Sequence, residues 1–591
     1  MNKKTNLSMC VVMLLFLLGM TCTAAGQIIY VDYNAPGFIH DGISWRTAYN
    51  FLQDALALAQ PGNEIWVAKC SYRPDEDMAH PTGTGDRGAS FGIKNDVTIY
   101  GGFPSPGDPN YPEWFGRDPN MLDRDPDKFV TTLSGDLSEN DFQVADPCDL
   151  WNQPTRAENS YHVVVSNWNA PTAILDGFCI TGGNPNVEGG AGGGMYISFS
   201  NATVANCTFC RNSAYYGGGV YNVNWNYSPT MRNCTFNGNW ANNSGGGMYN
   251  GESVPTLIEC IFGDNSAGMQ GGGMYNSGSR PTLTSCIFSG NSARDGGGIH
   301  NFTSSPVLIN CEFSENRARA SGGGINNNAS NSKLGNCTFA CNSAGHDGAG
   351  MSNWDNSIAE LVNCILWDNT PPSEIYQEPG STVTITYSNI KGCWPGEGNI
   401  CDDPCFVDCN GRLSPNSPCI DAGNSNAVPS GIWTDLDGNP RFVDGPGTID
   451  SGVGIPPIVD MGAYEFQDDV FKRGECYPQT YSTYGAWLAL GKPNCWCGMY
   501  GNPRWPYQCD GDADNLVQGL PKYRVYTDDF NILVANWKKP PTDPTFNPCA
   551  DFDHKPQGLP KYRVYTNDFD ILVKNWKKTD DQLPDHCPRP E

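Results

Sequence analysis

Residues 260–285 read CIFGDNSAGMQGGGMYNSGSRPTLTS, and residues 286–310 read CIFSGNSARDGGGIHNFTSSPVLIN. The second line repeats the first with one residue fewer. Outward from this pair the phrase recurs as Cys207-Thr-Phe209, Cys234-Thr-Phe236, Cys260-Ile-Phe262, Cys286-Ile-Phe288, Cys311-Glu-Phe313, Cys337-Thr-Phe339 and Cys364-Ile-Leu366, at steps of 27, 26, 26, 25, 26 and 27. Five positions after each cysteine stands an asparagine: Asn212, Asn239, Asn265, Asn291, Asn316, Asn342 and Asn369. Glycine triplets at 217–219, 245–247, 271–273, 296–298 and 322–324, degraded to Gly-Ala-Gly at 348–350, lead into Val220, Met248, Met274, Ile299, Ile325 and Met351.

A period near 26 fits a leucine-rich repeat or a parallel β-helix coil. These units lack the several leucines and the helix that the first requires. They show short alternating pieces such as Thr-Leu-Ile-Glu-Cys-Ile-Phe at 256–262, which place Cys and Phe on one face. The triplets permit sharp bends and backbone contact that a Cβ would block. The reading is mainly β: a right-handed parallel β-helix whose coils stack about 4.8 Å apart, with Cys, Phe and Asn piled into ladders. Tyr49, Leu52, Leu56 and Ala59 follow helical spacing before Pro61-Gly62, giving an N-terminal helix expected to cap the first coil. Pieces at 64–68, 97–100, 130–133, 162–166 and 173–180 read as earlier, less regular coils.

The chain has 591 residues and a net charge of -27, a balance that disfavours nucleic-acid partners. Lys3 and Lys4, the apolar run from Val11 to Met20 and Thr23-Ala24-Ala25 form an expected signal peptide over 1–25. No later segment has the ~20 apolar residues of a membrane helix. The expectation is an exported protein, extracellular or on the cell surface, without a transmembrane segment in its mature chain. The ladder cysteines read as buried thiols, whereas Cys393, Cys401, Cys405, Cys409, Cys476, Cys495, Cys497, Cys509, Cys549 and Cys587 read as disulfide partners of open pairing.

The opening Ile29-Tyr-Val-Asp, Gly42-Ile-Ser-Trp45 and Glu64-Ile-Trp-Val-Ala68, followed by the Gly-Gly-Gly coils, resembles secreted bacterial β-helix proteins of the pectin-lyase-like superfamily, with features of polymorphic outer-membrane-protein repeats. Ser417-Pro-Cys-Ile-Asp-Ala-Gly423, Asp435-Leu-Asp-Gly-Asn-Pro-Arg441 and Asp460-Met-Gly-Ala-Tyr-Glu-Phe466 are similar to the choice-of-anchor block that closes such helices. The solenoid is placed at 28–466, and a Cys/Pro/Gly-rich linker at 467–508. Over 509–591, Gln518–Thr527 reappears unchanged at Gln557–Thr566, each copy flanked by an Asp-x-Asp and an amphipathic helix. This pair resembles a dockerin. The resemblance implies a small helical module binding Ca²⁺ through Asp512, Asp514, Asp529, Asp551, Asp553 and Asp568, with a cohesin-like or cell-envelope partner. Here Asp514 and Asp529, like Asp553 and Asp568, are 15 apart where the family has nine, and the loop glycine is missing. Capping of the two helices by these acids is the other reading.

Two constellations on the coils carry chemistry. Tyr196, Tyr221, Tyr249, Tyr275 and His300 each follow an inward apolar residue, so alternation turns them outward as a column suited to sugar rings, or to stacking on itself. Asp295 (beside Arg294), Arg319, His346 and Asp347 occupy one turn on three consecutive coils. A β-elimination lyase needs a cation beside a uronate carboxylate and a base, roles open to Arg319 and His346; a glycosidase needs two carboxylates, here Asp295 and Asp347. A solvated polar rim is the plain alternative. The function expected is binding of extracellular or surface polysaccharide, with a polysaccharide lyase or glycoside hydrolase on uronate glycans as the alternative.

Overall fold

A computed structural model describes residues 26–106, 118–223, 225–370, 373–445 and 448–467. The expected signal peptide, residues 468–508 of the linker and the whole of 509–591, with its six aspartates, lie outside the described residues.

The named strands pair in parallel and form four sheets. One coil shows the plan. Met274–Ser277 lies in the first sheet (10 strands), Thr282–Thr284 in the second (12), Ile287–Ser289 in the third (11) and Ser292–Ala293 in the fourth (6). Each strand pairs in register with its counterpart one coil away, as Leu257, Leu283 and Leu308 do. The chain is a parallel β-solenoid.

Corners are set by backbone conformation. The residue before the ladder cysteine takes positive φ on coil after coil (Asn233 50°, Glu259 55°, Ser285 52°, Asn310 58°). The earlier piece 173–180, read from sequence as one strand, is two, Ile174–Asp176 and Cys179–Thr181, divided by the corner at Gly177 (φ 83°). In the triplets the first glycine supplies positive φ (Gly271, 64°), while a Cβ on Gly272 would lie 2.5 Å from the Gly297 carbonyl oxygen. Ala349 is accommodated where the facing chain is Ser373–Ile375 rather than another triplet.

The interior is a set of ladders. Phe209, Phe236, Phe262, Phe288, Phe313 and Phe339 stack with centroids 4.4–5.0 Å apart and rings within 6° of parallel. The ladder cysteines are buried free thiols; Cys286 donates to the carbonyls of Thr284 (3.5 Å) and Leu257 (3.8 Å). Asn212 to Asn369 form a continuous amide ladder. Asn265 Oδ1 accepts from the Asn239 backbone N–H (3.1 Å) and Nδ2 (2.9 Å), and Asn265 Nδ2 donates to the Phe236 carbonyl (2.8 Å). A second amide ladder, Asn222, Asn250, Asn276, Asn301, Asn327 and Asn353, runs inside the first sheet at 2.9 Å per step. Its sequence signal, an asparagine two positions after each inward Val, Met or Ile, is plain once the sheet is known.

Helix α1 (Leu52–Leu58) buries Leu52, Ala55 and Leu56 against the strands Ile28–Val31 and Phe91–Gly92. Residues 402–467 pack on the outward face of the third sheet. There Arg441, fully buried, donates to the carbonyl of Gly462 and to Asn310 Oδ1, the Tyr464 hydroxyl meets Glu312, and the Ala463 N–H donates to Thr338 Oγ1 (2.8 Å). Cys393–Cys401 is a disulfide. Cys409 pairs with Cys341, a corner residue that carries no disulfide signal in the sequence, and Cys405 is a free thiol.

Candidate functional site

Four of the six strands of the fourth sheet are two residues long (Ser266–Ala267, Ser292–Ala293, Arg317–Ala318 and Ser343–Ala344), so each turns one side chain in and one out. Ala241, Ala267, Ala293, Ala318 and Ala344 are buried; Trp240, Ser266, Ser292, Arg317 and Ser343 form the outward column in register. Small serines leave a trough between Trp240 at one end and Arg317 at the other. An insertion between the strands Thr132–Ser134 and Val164–Asn167 supplies the facing wall. Its 3₁₀ helix Pro147–Asn152 starts at Asp146, whose carboxylate accepts from the Cys148 N–H (2.9 Å), and packs on the strand Trp240–Ser244. The result is a cleft of about 300 Å³ lined by Asp146, Cys148, Trp240, Ser292, Arg317 and Arg319, among others.

The one-residue deficit of the 286–310 coil shapes its rim. Arg319 stands where neighbouring coils have Gly268 and Gly345, and the shortened coil between has no residue at that station. Arg319 therefore reaches across it and donates to the Gly268 carbonyl (2.6 Å).

The ionic cluster expected from sequence does assemble around Asp295. Burial raises its carboxyl pKa, and Arg294 (3.7 Å), the Ser321 N–H, Arg319 and His346 oppose that rise. Arg319 and His346 are exposed, and Asp295 and Asp347 half-buried. Asp295 and Asp347 share one column with Ser321 between them, so their stations are two rises, about 10 Å, apart.

The aromatic column is in register but is not an exposed stripe. Tyr196, Tyr221, Tyr249, Tyr275 and His300 follow one another at 5.5, 4.9, 4.9 and 5.4 Å, with ring faces turned on each other. Tyr275 is 9% and His300 3% exposed while Tyr196, Tyr221 and Tyr249 are half-buried, so the column follows the self-stacking alternative rather than an outward face open to sugar. Stacking at coil spacing consumes the π faces and desolvates the rest. Burial pushes Tyr221 up to about 12 and His300 down to about 3. Alternation gives the direction of these side chains, but not how deeply neighbouring rungs shield one another.

Sequence reasoning missed Trp240, Arg317 and Asp146 because the wall comes from an insertion more than 90 residues upstream. Among the described residues Asp421, Asp444 and Asp450 bring carboxylate oxygens within 4.8 Å of one another. Asp421 is already engaged by the Gly445 N–H and the Thr448 hydroxyl.

The Chlamydia polymorphic membrane protein (Chlamydia_PMP) repeat matches residues 285–301. No curated protein matches the chain. Among solved structures, the pectate lyase Pel9A is similar at 15% identity and a TM-score of 0.44, over 75% of this chain and 97% of that one. The tailspike protein gp49 from Acinetobacter baumannii bacteriophage Fri1, a capsular polysaccharide depolymerase, is similar at 12% identity and a TM-score of 0.22, over 62% of this chain and 60% of that one. No helix among the described residues is long and apolar enough to cross a membrane.

Proposed function

We propose that the protein is exported and binds an acidic polysaccharide in the cleft over the fourth sheet. The observation that carries this is the pairing of Arg317 and Arg319 with Trp240 across a serine-floored trough. A chain of net charge -27 repels anions in general, so adjacent arginines on one face mark where an anionic sugar is tolerated. Guanidinium groups fork onto uronate or sulfate oxygens, serine hydroxyls exchange hydrogen bonds with sugar hydroxyls, and an indole offers a flat apolar wall. We also propose that the tail binds Ca²⁺ through Asp512, Asp514, Asp529, Asp551, Asp553 and Asp568 and attaches the solenoid to a partner.

The test is a glycan array probed with the whole protein, followed by titration of the best acidic hit. Arg317→Gln with Arg319→Gln should weaken binding at least tenfold, and Trp240→Ala severalfold. Equal binding by all three proteins, or preference for neutral glycans, refutes the assignment. A second reading is favoured by Asp295, a carboxyl raised by burial beside Arg294, Arg319 and His346: a uronate lyase in which Arg319 neutralises the sugar carboxylate. Unsaturated products absorbing in the ultraviolet, lost in His346→Ala, would establish it.

A further inference from the structure

The corner that joins the first sheet to the second changes character along the solenoid. The residue that follows each first-sheet strand takes positive φ there, and on the later coils it is Glu252 (46°), Gly278 (60°), Thr303 (48°), Ala329 (49°) and Asp355 (53°). On two early coils the same station holds Trp168 (57°) and Phe199 (50°), one rung apart by the pairing of Asn167 with Ser198. Left-handed backbone suits glycine, asparagine and aspartate, so a bulky aromatic is held there at a steric cost. Burial does not offset that cost, because Trp168 is 64% exposed.

The ring is nevertheless fixed in place. The Trp168 N–H donates to the Ser198 carbonyl (3.1 Å), and the indole lies on the Phe199 ring with centroids 4.3 Å apart and planes 8° from parallel. Tyr227 stands edge-on to both, at 6.4 and 6.1 Å. An indole with one face on Phe199 and most of its surface in water has its other face open. Among the described residues no cation lies over that ring. The polar groups beside the stack in the chain are amides: Asn167 and Asn226 are exposed, and Asn226 Oδ1 accepts from Arg280 (2.9 Å). Asn95 and Asn201 pin the neighbouring turns through the N–H groups of Ala170 and Ser228, each at 2.6 Å.

We propose that Trp168, backed by Phe199 and Tyr227, is a stacking platform for the apolar face of a neutral sugar ring. A pyranose carries C–H groups on its flat faces and hydroxyls around its edge. An open indole bordered by amides meets both, with no charge demanded of the ligand. Nucleobases also stack on exposed aromatics, but a chain of net charge -27 repels the phosphates that accompany them. The platform lies on the corner between the first and second sheets and the arginine-bearing cleft lies over the fourth, so this contact stands whether or not the cleft binds an acidic glycan.

The test is titration calorimetry of the full chain with neutral oligosaccharides of glucose, mannose, galactose and N-acetylglucosamine, alongside vesicles of phosphatidylcholine and phosphatidylglycerol. At least one oligosaccharide should bind. Trp168→Gly should weaken it about tenfold or more, and Trp168→Tyr, which keeps a ring face, should hold it within about threefold. Glycine adopts positive φ freely, so Trp168→Gly should melt no lower than the parent, which separates a lost contact from a lost fold. Silence across the panel, or unchanged affinity in Trp168→Gly, overturns the proposal. So does a Trp168→Gly protein that melts well below the parent, which makes the ring a packing residue, or vesicle binding lost in that variant in place of sugar binding, which makes the corner a lipid contact. The charge preference of the cleft is read in the Trp168→Gly protein, so failure of either glycan site shows without the other.

Discussion

Replacing Asn265 by alanine removes one rung of the third-sheet amide ladder and leaves two buried backbone groups without their side-chain partner: the Asn239 N–H, which donates to Asn265 Oδ1, and the Phe236 carbonyl, which accepts from Asn265 Nδ2. An unsatisfied buried group costs about 1–3 kcal/mol, so the variant should lose about 4 kcal/mol. Asn276→Ala provides the internal comparison. Asn276 bonds the Asn250 and Asn301 side chains, which unlike main-chain groups can change rotamer, so about 2 kcal/mol is expected. Solenoids need not unfold as one unit, so urea midpoints by circular dichroism should be paired with amide hydrogen exchange at Asn239. Asn239→Ala combined with Asn265→Ala should cost less than the sum of the two, because they share bonds. A loss in Asn276→Ala equal to that in Asn265→Ala, or an Asn239 amide whose protection is unchanged, refutes the claim that the backbone connection distinguishes the ladders.

The remaining predictions concern the side domain, the triplets and the thiols. Burial pushes Asp435 up to about 6 and Asp460 up to about 8, and Glu465 well up as well, with Arg441 the opposing cation. Raised carboxyl pKa values favour folding below the ordinary carboxylate range and withdraw that support as pH climbs through 6 to 8. Proteolysis within 402–467 should therefore quicken from about pH 5 to about pH 8, and Asp460→Asn should flatten the slope. Gly272→Ala drives a Cβ to 2.5 Å from the Gly297 carbonyl oxygen and should cost about 3 kcal/mol. Gly278→Ala, whose Cβ meets nothing closer than Glu252 Cγ at 3.5 Å, should cost about 1 kcal/mol for its positive φ alone; similar melting of the two variants would contradict this. Among the thiols of the described residues, native alkylation should reach Cys210 before the ladder cysteines, since the Cys179 thiol at 3.7 Å, Thr181 and Arg211 lower its pKa, and should spare the ladder thiols until denaturant is added.

The repeats made the solenoid legible because every in-register contact is local to a period: Phe288 meets Phe262 for the same reason that it resembles Phe262. The turn cluster was legible on the same ground, and Asp295 does feel Arg319 and His346. Three things were not. The depth to which Tyr275 and His300 are buried is not encoded by periodicity, which gives only their direction and their stacking. The cleft depends on Asp146 and Cys148, whose segment has no repeat to align. Cys341 stands at a corner with no sequence signal of its own, and its partner Cys409 comes from a segment 68 residues away.

The 25-residue turn at 286–310 differs from its neighbours by a single omission, yet it changes which coils Arg319 bridges. In a stacked architecture an indel at one level does not disturb the layers above and below; it opens a notch, and a long side chain from the next level leans into it. Recognition surfaces on such a scaffold can therefore be rewritten one rung at a time, by changing the length of a turn while every core ladder stays in place.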